Sequence, residues 1–384
     1  MRHLLRTVAP LLVAGHALAA ALPAQAARAT PPAARPAAPP STLGVRDARL
    51  ARTIDRARSL VRDSVAALAL SGYSIAVAVD GRIVWSEGFG WADIENRIPL
   101  TPRTRLRVGS VSKPLTAAAV ALLVERGRLD LDTPVQRYVP DFPVKRWPIT
   151  TRQLGGHLAG IRHYAGDEMM SMRAYPTVHD GLAIFRDDSL LHEPGTKYAY
   201  SSYGWNLISA VVEGASGEPF LPFMRANVFE PLGMRETIAE FPDSIIPNRA
   251  RFYVRDGMGP YRNAPYVDNS YKWAGGGFLS TTEDLVRFGS AMLRPGFLSA
   301  ASHQWLFTSQ RTTSGEETGY GFGWDVERDA DGRQARGHSG GSVGANAMLL
   351  VYPETRVVVA VLGNTTTPFV GAGARHVARL FNER

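Results

Sequence analysis

Gly109-Ser110-Val111-Ser112-Lys113-Pro114-Leu115-Thr116-Ala117-Ala118-Ala119-Val120-Ala121-Leu122-Leu123-Val124 carries a hydroxyl and an amine into the start of an apolar helix. Residues three apart on a helix are rotated by roughly 300° and share nearly the same face, so Ser110 and Lys113 can touch. A serine hydroxyl is a poor nucleophile until a base stands within hydrogen-bond reach. Lysine serves as that base only when desolvation or nearby charge keeps its amine neutral, and the apolar run offers the buried face this requires. Pro114 is compatible with the helix because the first turn leaves its N–H groups without intrahelical partners, and Gly127 supplies a left-handed C-cap. The S-x-x-K spacing alone is a weak pattern. Here it gains weight from scarcity: of the four lysines, Lys113, Lys145, Lys197 and Lys272, only Lys113 has a serine three residues before it. The bland alternative is a solvated lysine at a helix start.

Outward from this helix, apolar residues at Leu50, Ile54, Leu60, Val61, Val65 and Leu68 predict an amphipathic helix over Val45 to Leu68. Tyr73 to Val79 and Arg82 to Glu87 read as strands joined by Asp80-Gly81, a strong two-residue hairpin signal. From about Leu129 to Asp268 the pattern changes to short helical pieces broken by Pro and Gly, with Tyr203 to Gly214 the clearest helix. Ser280-Thr281-Thr282-Glu283 reads as a capping box opening a helix through Leu293. Phe322 to Glu327, Arg333 to His338, Ala345 to Tyr352 and Arg356 to Leu362 then read as strands, and Pro368 to Phe381 as a closing helix. The fold class expected is α+β: an antiparallel sheet built from both ends of the chain, flanked by N- and C-terminal helices, with a mostly helical part inserted. The sheet part would cover about 45–128 and 270–384 and the helical part about 129–269, with the ligand site in the cleft between them.

The ends of the chain bear on compartment and partners. Met1 to Arg6 is a short basic region, Val8 to Leu22 is apolar, and Ala24-Gln25-Ala26 is a small-x-small site, so residues 1–26 read as a signal peptide cut after Ala26. An uncleaved membrane anchor is the lesser alternative. Residues 27–44 are rich in Pro and Ala and read as a tether without a core, which leaves 45–384 as the folded domain. The expected location is the periplasm or the extracellular space. With no cysteine in the chain, a thiol nucleophile, disulfides and cysteine-ligated metal are all excluded. The formal net charge of +8 falls to +6 when Arg2 and Arg6 leave with the signal. What remains is dispersed arginine, not a basic run with interleaved aromatics, so nucleic acid is not an expected partner. The nine histidines form no close ligand pair, and neither a metal nor another cofactor is expected.

Three ordered segments, Leu106 to Ala117, Tyr200-Ser201-Ser202 and His338-Ser339-Gly340, resemble the active-site elements of serine β-lactamases and penicillin-binding proteins. The similarity is greatest to the class C β-lactamase and DD-peptidase branch and spans about Gly72 to Gly363. GHLAGIRHY at Gly156 to Tyr164 and KWAGGGFLSTTEDLVRF at Lys272 to Phe288 also fit, and within that branch WSEGFGWADIENRIPL, LDLDTPVQRYVPDFP, HLAGIRHY and YKWAGGGFLST resemble an intracellular mitochondrial group with peptidase activity and filament assembly. The resemblance implies Ser110 as the acylated nucleophile, Lys113 as its activating amine and Tyr200, as phenolate or within a shared proton network, as the shuttle to the leaving group. It implies an oxyanion hole from the N–H groups of Ser110 and Gly341 next to Gly340, and His338 as a group that orients Tyr200 and a substrate carboxylate. Two departures bear on activity. Ser202 stands where Asn is commoner, and His338 where lysine is typical of efficient β-lactamases. A hydroxyl has shorter reach and no amide donor, and a neutral imidazole attracts a carboxylate less than an ammonium does.

Other polar residues carry simpler readings. His157 has no part in acyl transfer and is expected to be a helix-end hydrogen-bonder, and Gly275-Gly276-Gly277 marks a close backbone approach near the cleft. Gly337-His338-Ser339-Gly340-Gly341 matches the nucleophile elbow of α/β-hydrolases, with Ser339 as nucleophile, but that elbow needs strand, sharp turn and helix in succession. The expected function is therefore an exported serine hydrolase working through an acyl-enzyme at Ser110, a peptidase or esterase with weak or no β-lactamase activity. Its substrate would be a small peptide, an ester or a β-lactam-like compound, with self-association open. A catalytically degenerate penicillin-binding sensor or a filament-forming protein is the alternative.

Overall fold

The computed structural model describes residues 39–366 and 369–384. The expected signal peptide and most of the tether lie outside the described residues. Residues Pro36–Arg384 form one compact unit, and among the described residues no helix is long and apolar enough to cross a membrane.

Along the chain the elements that place the site are β1 (Thr42–Arg46), α1 (Ala51–Ala67), β2 (Gly72–Val79) and β3 (Arg82–Asp93), then α2 (Ser112–Glu125), α3 (Thr151–Gly155) and α4 (Ser202–Ser216). The short turn α5 (Trp273–Gly276) and α6 (Thr282–Ala291) follow, then β4 (Asp325–Arg328), β5 (Gln334–Ser342), β6 (Ala345–Tyr352), β7 (Val357–Gly363) and α7 (Phe369–Asn382). The main sheet is antiparallel in the order β1-β3-β2-β7-β6-β5-β4, with the two-residue strand Ile98–Pro99 added on β3. Its centre joins the two ends of the chain: Tyr73 of β2 lies opposite Gly363 of β7, and Val79 opposite Val357. Asp80 and Gly81, with φ of 54° and 80°, close the β2–β3 hairpin in the left-handed conformation its twist demands.

The period-2 alternation of the strands sends side chains to two faces. On one, Ile75 and Val77 of β2, Leu350 of β6 and Val359 and Val361 of β7 pack against Ile54, Val61 and Val65 of α1 and Val377 and Phe381 of α7. On the other, Ala76, Ala78, Leu349, Val351, Val358, Ala360 and Leu362 meet the rest of the chain. There α6 lies so close that a β carbon on Gly289 would sit 2.5 Å from Val358 Cγ1, so only glycine fits that contact. Behind it α2 runs through the interior, buried from Ser112 to Leu123. The same core cluster takes in α4 and the short helices of the inserted part, so both parts of the chain share one continuous interior.

Several boundaries differ from expectation for identifiable reasons. Thr42–Arg46, partly within the stretch read as tether, is a strand paired with β3. The first helix consequently begins at Ala51, after Asp47 accepts from Arg49 N–H to cap a preceding 3-10 turn. The strand expected from Phe322 starts at Asp325, because the backbone turns at Gly323, where φ is 78° and the N–H donates to Gly155 O. The N-cap of α6 is Thr281, accepting from Asp284 N–H, while Ser280 ends a short strand and its hydroxyl meets Thr237 Oγ1 at 2.8 Å.

Candidate active site

The Ser110 turn precedes α2 as a 3-10 segment, Gly109–Val111. It is pressed against β5. A β carbon on Gly109 would come 2.6 Å from Gly341 O and 2.8 Å from Gly341 N, and one on Gly340 would come 2.0 Å from Val108 O. Only glycine permits this approach, and Gly109 also needs its φ of 49°. The contact sets the backbone of Ser110 beside that of Gly341, which is exposed toward solvent.

Lys113 is fully buried on the first turn of α2. Its Nζ lies 2.9 Å from Ser110 Oγ, 3.1 Å from Ser202 Oγ and 2.9 Å from Gly275 O. Burial pushes its pKa well below the ordinary lysine value, and the nearby charge of Lys272 pushes in the same direction. Tyr200 donates from its hydroxyl to Ser110 Oγ at 2.8 Å. Burial raises the Tyr200 pKa far above that of a free phenol, so the ring is neutral and the phenolate alternative is not its resting form. Lys113 Nζ stands 4.8 Å from the centre of the Tyr200 ring. Ser110, Lys113, Tyr200 and Ser202 are thus one hydrogen-bonded cluster drawn from two distant stretches of chain.

The tyrosine element is held by two histidines. Ser201 N–H donates to His157 Nδ1 and Ser202 N–H to His163 Nδ1, each at 3.1 Å. Because both Nδ1 atoms accept, both rings carry their proton on Nε2. Burial, reinforced by the charges of Lys113 and Lys272, lowers the His163 pKa to about 4, and burial with the Lys113 charge holds that of His157 well below the ordinary imidazole value. His157 thus has the structural part expected of it, seated just after α3 with φ of 60°. His163 lies in the GHLAGIRHY segment, where no spacing marks it as the partner of Ser202.

Two expected substrate contacts are displaced. His338 was expected to orient Tyr200 and a carboxylate, yet its Nδ1 donates to Ser339 O at 2.5 Å and its Nε2 accepts from Tyr320 O–H at 2.8 Å. Burial lowers its pKa to about 3, so it is a neutral ring with both nitrogens occupied. Its centre is 6.3 Å from that of Tyr200, which makes it a packing neighbour. Ser202 was placed among substrate contacts, but it is buried and its hydroxyl meets Lys113. The glycine run behaves as expected: Gly275 accepts from Lys113, and a β carbon on Gly277 would meet Asn269 O at 2.8 Å. Ser339 lies within the extended strand β5 and not at a strand-to-helix turn, so the nucleophile-elbow reading fails. Among the described residues no group of histidine, aspartate and glutamate is placed to hold a metal ion.

A turn serine, a buried lysine and a loop tyrosine thus meet beside an antiparallel sheet covered by helices. The Beta-lactamase family model matches residues 57–383, and the chain belongs to that family of serine hydrolases. Among relatives, the mitochondrial serine beta-lactamase-like protein LACTB of Bos taurus is 35% identical over 419 aligned positions, covering 83% of this chain and 74% of its own. Penicillin-binding protein 4* of Bacillus subtilis (strain 168) is 28% identical over 307 positions, covering 76% of this chain and 67% of its own. Among solved structures, the octameric penicillin-binding protein homologue from Pyrococcus abyssi superimposes with a TM-score of 0.75 at 27% identity, covering 86% of this chain and 78% of that one.

Proposed function

We propose that the chain is an exported serine hydrolase that forms an acyl-enzyme at Ser110 and acts on peptides or esters. The observation that carries the reading is the simultaneous contact of Ser110 Oγ with a buried amine at 2.9 Å and a neutral phenol at 2.8 Å. A neutral Lys113 has two N–H groups and one lone pair. The N–H groups serve Gly275 O and Ser202 Oγ, leaving the lone pair for the Ser110 proton. Lys113 takes that proton as Ser110 Oγ bonds to the acyl carbon, and the resulting oxyanion is met by the N–H groups of Ser110 and Gly341. When the intermediate collapses, the bond to the leaving nitrogen or oxygen breaks and Tyr200 gives its proton to the departing group. The lysine then returns a proton to the phenolate. In the second half Lys113 accepts a proton from water as the water oxygen attacks the acyl carbon, and Ser110 Oγ leaves with that proton.

With His338 neutral and fully bonded, and Ser202 turned to Lys113, two groups that would hold a β-lactam's carboxylate and acyl side chain are absent. We therefore assign weak or no β-lactamase activity. The test is labelling with a fluorescent fluorophosphonate and a fluorescent penicillin, followed by turnover on a peptide and ester library. Labelling that survives Ser110→Ala overturns the proposal. Labelling with no turnover on any substrate would move the assignment to the penicillin-binding sensor. For location, N-terminal sequencing of the exported chain tests cleavage after Ala26. Self-association is suggested by the octamer named for the Pyrococcus abyssi homologue, and sedimentation of the purified chain decides it.

A further inference from the structure

A second buried amine lies beside the first. Lys272 is 2% exposed, immediately before the turn α5, and it donates no side-chain hydrogen bond among the described residues. Its ammonium sits over the rings of Tyr164 and Tyr271, 5.6 Å and 5.2 Å from their centres. Its Cδ is 3.8 Å from the position a β carbon would take on Gly276, and that position is 3.7 Å from the carbonyl carbon of Gly109. Lys113 donates to Gly275, on the same turn. The two amines therefore bracket α5, one bonded to the nucleophile and the other held only by aromatic faces.

No carboxylate cancels the second charge. Glu240, the acid that acts on it, has its Oε2 occupied by Arg107 Nε at 2.7 Å and Asn269 Nδ2 at 2.6 Å. Of the groups facing Lys113, Asp325 is the one that opposes the effect of Lys272. Tyr200 is neutral, and His157 and His163 from the segment after α3 and His338 from β5 are neutral rings. Asp325 at the start of β4 favours the Lys113 ammonium, but burial lifts its own pKa to about 6, so its opposing charge fades as pH falls through that value. Arg107, like Lys272, is a cation. Unscreened like charges in a low-dielectric interior destabilise each other's protonated form.

We propose that Lys272 is a positioning residue whose positive charge, delivered across the α5 turn, keeps the Lys113 amine in its proton-accepting form. The strand element brings no cation of its own, since His338 is neutral, so the electrostatic part of the site enters from the segment before α5. Burial and the Arg107 charge bring Lys272 to about 7. Its charge is therefore half present at neutrality and full in the acid range below it, where protonation of Lys113 would otherwise stop the reaction.

The proposal rests on Ser110 being the nucleophile, and its test separates the two. The probe is the rate of labelling by a fluorescent fluorophosphonate from pH 5 to pH 10. Removing the charge in Lys272→Met raises the acid limb of that profile by about one pH unit, so labelling on the limb slows about tenfold while the alkaline plateau stays near wild type. Lys272→Arg keeps a charge at the same place and keeps the limb at or below its wild-type position. A Lys272→Met limb that does not move, in a chain with an unchanged melting curve, overturns the proposal. So does a raised limb in Lys272→Arg, which decides the matter even if the Met variant fails to fold. Wild-type chain that is not labelled, or Ser110→Ala that still is, overturns the serine-hydrolase reading beneath it instead.

Discussion

The two faces of the sheet solve different problems. The face covered by α1 and α7 is almost wholly apolar, and its buried carboxylate, Glu87, is matched by Arg58 Nε at 2.8 Å and Trp85 Nε1 at 3.0 Å. The face toward α2 and α4 buries Lys113, Lys272, His157 and His338, groups whose charged forms burial disfavours. Desolvation stabilises the fold through both faces, and on the second it also tunes the titratable groups. The titratable groups of the site are thus kept to one side of the layer of strands.

That separation is open to direct attack. Ser110→Ala should abolish fluorophosphonate labelling, a loss of at least about 10³-fold, and leave the melting temperature unchanged because the hydroxyl supports no packing. Lys113→Met should slow labelling by about 10²–10⁴-fold, the usual range for a positioned base, and should not destabilise, since a buried amine is replaced by an apolar chain. The opposite face should give the opposite result. Phe381 stacks on Trp85 with ring centres 6.4 Å apart, and Phe381→Ala should cost about 3–5 kcal/mol in denaturant unfolding. Its labelling rate per folded molecule should stay at the wild-type value, and a selective loss of labelling would break the comparison.

Acid should act through the site face. His338 and His163 are held at about 3 and about 4 in the folded chain, against about 6.5 for a free imidazole. Between those limits the unfolded chain binds more protons, so the stability they lend is complete above about pH 6.5 and is lost as pH falls toward 4. Melting curves across that range should show the decline, and His338→Gln should flatten it. The smallest effect belongs to the hairpin. Gly81, at φ 80° with open space around its α carbon, should lose about 1 kcal/mol on Gly81→Ala from backbone strain alone.

What could be read in advance follows the same division. α1, α7 and the central strands were legible because each presents one apolar face, so period 3.6 or period 2 stands out. α2 was legible as a helix by its apolar run, and Ser110 and Lys113 by their spacing on it, which depends on only one helical turn. Tyr200 came from resemblance to a family pattern. The second tier was hidden: Tyr320, His163 and Lys272 reach the cluster through tertiary contacts, and no local periodicity marks a side chain whose partner lies on another element. His338 was placed on the right strand and given the wrong partners, because a strand position fixes which face a ring leaves from and not which hydroxyl it meets.

The pairing of β2 with β7 governs how the molecule is made. The founding hairpin of the sheet waits for a neighbour made far later along the chain, since Tyr73 faces Gly363, and such long-range pairing is slow to form. Ser110 likewise gains its neighbour Gly341 only from late-made chain. Nascent polypeptide therefore lacks this neighbour of Ser110 until β5 has been made, and fluorophosphonate capture in a pulse-chase dates the moment at which β5 docks beside the serine.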